Sequence, residues 1–136
     1  MQQSVLRNFP SVNIAVAVVW IQMPGFNDNQ TTAGEAASTF NDPRVRHFYD
    51  SFPKHAAGKA FAEGHVTPNR GPAWDIYFFY NEGPEWVDGP PEPTAWMHQL
   101  SGGERADPDR FHTGDDLIAH LHAATHLITG KGCNRP

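Results

Sequence analysis

Aspartate and histidine are the side chains through which this chain could move protons or hold a metal. Asp75 stands in GPAWDIYFFY, residues 71–80, among aromatic and branched neighbours that otherwise read as a buried strand. Aspartate is depleted in strands and costly to bury unpaired. Two readings account for it: a strand-entrance carboxylate that accepts backbone or Trp N–H bonds, or an acid at the rim of a pocket. His98 alternates with Trp96 and Leu100 in TAWMHQL. It reads as a packed, hydrogen-bonded histidine or as an acid–base partner of Asp75 and of Asp28 in the loop of residues 23–29. His47 has the same packed reading.

HLHAATH, residues 120–126, sets His122 and His126 at i, i+4, a spacing that can bring two imidazoles to one metal. Leu117, Ile118, Leu121, Ala124 and Ile128 recur at helical spacing, however, and that stripe turns the two histidines towards solvent. There is no HExxH and no evident third ligand, so neither a metal nor a cofactor is expected. Trp20, Trp74, Trp86 and Trp96 either line an aromatic pocket or pack the core and a hairpin. No nucleophile elbow, P-loop or dinucleotide fingerprint occurs, and SGGE at 101–104 reads as a turn.

These residues must be positioned by a chain of 136 residues, enough for one domain with a real core. The 12 prolines and 12 glycines imply many loops. A net charge of -5 without a basic cluster argues against a grip on nucleic-acid backbone. The apolar run Ile14 to Ile21 is too short to span a membrane and lacks the flanks of a signal peptide, so the cytoplasm is the default compartment. The lone Cys133 excludes an intramolecular disulfide and cysteine-pair zinc sites.

A short helix is expected over residues 2–9, ended by Pro10. Residues 12–22, apolar on both alternating faces, read as a central strand covered on both sides. Thr32 with Glu35 matches a capping box for a helix over about 33–40. RVRHFY, residues 44–49, reads as a strand. A helix follows from Pro53 to Gly64 with Ala56, Ala57, Ala60 and Phe61 inward. Strands 73–80 and 94–100 form a hairpin across a proline-rich connection. Thr113 with Asp116 is a second capping-box match, and Gly130 reads as the C-cap of the last helix. The result is an α/β sandwich occupying residues 1–130 as one domain, with a flexible tail over 131–136.

That order, with VAVVWIQM, FNDPRVRHFYD, AWDIYFFYNEGPEW and PPEPTAWMHQL, resembles bacterial thioredoxin-like proteins of uncharacterised function over most of residues 12–100. The resemblance implies a thioredoxin-like sandwich with a central mixed sheet. It also implies truncation at the N-terminus, because the chain would begin inside the helix that normally carries CxxC. The first strand and the redox pair are both missing, and Cys133 lies at the wrong end. In that fold the functional edge would fall at Trp20 to Asn29 and Gly71 to Asp75, with either Pro72, the nearest proline, or Trp74-Asp75 in the place of the family's cis-proline. Trp20, Met23, Asp28, Pro72, Trp74, Asp75 and His98 are therefore the candidate site.

The expected function is a non-redox binding module for a small molecule or a protein, working as a homodimer across the vacated sheet edge. Two alternatives stand beside it. One is an enzyme or metal site using Asp75, His98 and Asp28; the other is an inactive, truncated redox protein.

Overall fold

A computed structural model describes residues 5–23, 25–51, 54–65, 74–100 and 106–130. Pro53, Pro72, SGGE and the expected tail lie outside the described residues. The chain runs from a 3-10 turn at Leu6–Asn8 through β1 (Val16–Ile21), α1 (Gln30–Ser38), β2 (Val45–Asp50) and α2 (Ala56–His65). β3 (Ile76–Phe79), β4 (Ala95–His98), a 3-10 turn at Pro108–Arg110 and α3 (Gly114–Thr129) follow. The architecture is mixed α/β, as expected. Among the described residues no helix is long and apolar enough to cross a membrane.

Among the described residues the strands form two separate two-stranded sheets, where a single central sheet was expected. β1 and β2 pair in parallel, with Val16 opposite Val45 and Ile21 opposite Asp50. β3 and β4 pair antiparallel, with Ile76 opposite His98 and Phe79 opposite Ala95. Alternation then divides the hairpin's residues between two faces.

One hairpin face, bearing Tyr77, Phe79, Ala95 and Met97, packs on the core. That core is Val5, Phe9 and Val12 from the N-terminal segment, Met97 from β4, and Leu117, Leu121 and Ala124 from α3. Leu117, Leu121 and Ala124 belong to the expected stripe, Thr125 is buried outside it, and Gly130 closes the helix in the left-handed region at φ 61°. The other hairpin face is an aromatic ladder. Phe61 of α2 stacks on Phe78 at 4.9 Å, Phe78 on Trp96 at 6.1 Å, and Trp96 tilts against His98 at 6.0 Å.

β1 is not the covered central strand its apolar sequence suggests: none of its six residues is fully buried. Among the described residues, a two-stranded sheet offers it one neighbouring strand. α1 buries none of its residues. α2 docks at one end of β2, where the buried Asp50 accepts the Gly58 N–H at 2.8 Å. Ala62 and Gly58, rather than Ala56, are the buried α2 positions.

Two expected caps also differ. Asn29, not Thr32, caps α1: its Oδ1 accepts the Thr31 and Thr32 N–H groups at 2.8 and 3.2 Å, and Thr32 Oγ1 accepts the Asn29 N–H at 2.9 Å. A threonine fills the role that glutamate has in the usual motif. The expected N-terminal helix reduces, within the described residues, to one 3-10 turn. Arg44 holds that turn in place. It donates to the carbonyls of Leu6 at 3.0 Å and Phe9 at 2.6 Å, and forks onto Asp42 at 2.6 and 2.9 Å. Bonded by this guanidinium, the Asp42 carboxyl is held down at about 2.

Candidate functional site

Asp75 stands one residue before β3 and is exposed, so the burial problem raised by its sequence context does not arise. Its backbone supplies the reason for the residue type. Asp75 adopts φ +50°, a left-handed conformation that aspartate, asparagine and glycine tolerate and branched residues resist. Its carbonyl accepts the Gln99 N–H at 2.9 Å, which starts the hairpin ladder. The carboxylate reaches Tyr77 through its field: burial first, and Asp75 second, push that phenol up.

His98 is 1% exposed, and both its ring nitrogens are engaged. Nδ1 accepts the Leu100 N–H at 3.1 Å, so in the neutral ring Nε2 carries the proton and donates to the Asp107 carbonyl at 2.8 Å. This is the packed reading; the ring has no nitrogen left for a ligand or for Asp75. Trp74 is half-buried beside Asp75. Trp20, Met23 and Asp28 belong to the other sheet's end: Trp20 donates from Nε1 to His47 Nδ1 at 3.1 Å, Met23 is half-buried and Asp28 is exposed. The tryptophans are spread accordingly, with Trp20 against Phe40 and His47, and Trp86 against Phe61 and Tyr80.

His122 and His126 do not face open solvent as their position opposite the stripe implies. Both are half-buried edge-on against Phe9, with ring centroids at 5.5 and 4.8 Å. The N-terminal segment lies across that side of α3 and covers it.

A different histidine pair carries the donors. His112, just before α3, and His120 within it bracket Asp116. The His112 Nδ1–H donates to Asp116 Oδ2 at 2.7 Å. The His120 Nδ1–H donates to the Asp116 carbonyl at 2.9 Å and lies 3.4 Å from Asp116 Oδ1. The two imidazoles stack at 3.6 Å between centroids, 19° from parallel. A donor atom from each of the three residues lies within 4.8 Å of the others. The expected second capping box is thereby undone: Thr113 makes no side-chain cap bond, and the Asp116 carboxylate is spent on histidines.

His112 and His120 line a groove of about 660 Å³ between β4, the second 3-10 turn and α3, with Trp96, Met97, Arg110 and Leu127 among the other walls. The Arg110 guanidinium lies 4.7 Å over the Trp96 ring. Its Nε donates to Asp107 Oδ2 at 3.3 Å and its Nη1 to the Trp96 carbonyl at 3.3 Å. Among the described residues, two of its five N–H donors are used this way.

Sequence reasoning put the site at the opposite sheet's loop and at the hairpin's entrance. The i, i+4, i+8 series 112, 116, 120 was the available signal. It was hidden because His112 precedes the helix and Asp116 matched a cap. Compared with protein-family models, curated proteins and solved structures, the chain finds no match.

Proposed function

We propose that the chain is a thioredoxin-like binding module without a redox pair, and that it holds a small anionic molecule in the groove between β4 and α3. Support for the fold reading comes from element order: a parallel pair joined through a helix, then a second helix, an antiparallel hairpin and a closing helix. The absence of any CxxC from the sequence removes the family's usual chemistry. The observation that carries the binding reading is Arg110. It is fixed over Trp96 and braced by Asp107, and three of its N–H donors have no acceptor among the described residues and suit a carboxylate or phosphate. The groove is apolar at Trp96, Met97 and Leu127 and polar at Asp107, Asp109, Arg110, His112 and His120, and apolar surface with placed polar groups is the usual make-up of a small-molecule site. Native mass spectrometry of protein purified from cells tests it. The expected result is a small organic mass retained by the wild type and lost from Arg110→Ala; bare chain in both contradicts the reading.

A homodimer through the first sheet belongs to the same proposal. β1 and β2 present Ala17 and the 56%-exposed Phe48 on one face, with the exposed Arg46 opposite Ala17, and burial of the Phe48 ring there is favourable. In sedimentation, the wild type should run as a dimer and Phe48→Asp as a monomer; a monomeric wild type contradicts this part.

A further inference from the structure

We propose that His112, Asp116 and His120 bind a divalent transition-metal ion of the zinc class in the wall of the groove. The proposal takes the groove as a binding site and adds an ion to it. Two imidazoles and one carboxylate are donors that suit zinc, nickel or copper, whereas calcium and magnesium favour oxygen alone. The donor atoms already lie within 4.8 Å of one another. A tetrahedral zinc site brings its donors to about 3.3 Å, given zinc–nitrogen distances of about 2.0 to 2.1 Å. The adjustment is within reach of side-chain rotation, since two of the three are exposed, Asp116 at 61% and His120 at 45%, and the hydrogen bonds that hold them are the ones an ion replaces.

Three protein ligands leave a coordination position for water or for the groove's ligand. In the ion-free protein each Nδ1 carries the proton it donates to oxygen. The ion replaces those protons, which pass to Nε2 of each neutral ring. The lost capping role of Asp116 points the same way: its carboxylate is turned from the helix's own N–H groups towards the two imidazoles. The N-terminus of α3 is the positive end of its dipole and opposes a cation, an effect offset by Asp115 and Asp116 in the first turn.

The test is a calorimetric titration of the chelator-stripped full chain with zinc chloride, paired with nitrogen-15 NMR of the histidine rings. One ion per chain is expected, with His112 and His120 changing from the Nδ1–H to the Nε2–H tautomer as zinc is added. Asp116→Asn and His120→Gln should each weaken binding by about 100-fold, the upper end of what removing even a supporting residue costs. His122→Gln should bind as the wild type does. No saturable binding, or wild-type affinity in both ligand variants, overturns the site. The NMR arm needs no variant: zinc binding without a tautomer change at these two rings also overturns it. Failure of the two readings is separable. An organic ligand retained by a chain that takes no zinc keeps the groove and removes the ion; zinc binding with no retained organic mass does the reverse.

Discussion

β1, VAVVWI, is the more apolar strand, and β4, AWMH, is the more buried one. The first sheet has one partner strand, a helix that buries nothing and another docked at one end. The hairpin sits between two covers, with α3 and the N-terminal segment on one side and Phe61 of α2, stacked on Phe78, on the other. Burial follows from what a strand is packed against. A run of branched residues states only that cover would be favourable.

The most direct way to break this comparison is to cut both halves. Leu121→Ala, at a position 2% exposed, should cost about 3 kcal/mol in urea unfolding, and Val18→Ala in half-buried β1 about 1 kcal/mol. Equal costs would mean that the two halves share one core.

Arg44 ties the N-terminal segment to the first sheet, and Arg44→Ala should cost about 2 kcal/mol by removing its charged N–H donors from the Leu6 and Phe9 carbonyls, each of which keeps one backbone N–H. Its pH dependence sharpens the point. The folded Asp42 carboxyl sits at about 2, below its ordinary value of 3.8, because the Arg44 guanidinium bonds its charged form. The clamp's contribution is therefore complete above about pH 4 and is lost as the pH falls towards 2. Asp42→Asn should flatten unfolding curves over that window alone.

Asn29→Ala should cost about 1 kcal/mol locally, because the capping box is reciprocal. Since α1 buries nothing, the loss should show as faster amide exchange in α1 with little change in global unfolding. At the hairpin's entrance, Asp75→Gly should stay within about 0.5 kcal/mol of the wild type, whereas Asp75→Val should lose about 1 kcal/mol to its φ of +50°. A tolerated valine would show that the left-handed position is not what selects aspartate.

Much of the fold was legible because local signals fixed it. The stripe from Leu117 to Ala124 gave α3, Gly130 its end, and the aromatic runs the hairpin. The cap of α1 was missed because Thr32 performs at N3 what a glutamate normally does. The burial of β1 was overestimated because hydrophobicity does not report the number of neighbouring strands. The candidate site was illegible for a related reason. His98, chosen for its chemistry, spends both nitrogens on backbone, while His112 and His120 meet only when the segment before α3 folds over its first turn. His122 and His126 were set in solvent because the stripe alone cannot foresee Phe9.

One measurement joins the comparison to the site: hydrogen exchange along the whole chain with and without zinc. The account predicts slower exchange confined to residues 107–127, from the second 3-10 turn through most of α3, with β1, α1 and β2 unchanged. Slowing in the first sheet, or nowhere, would contradict it.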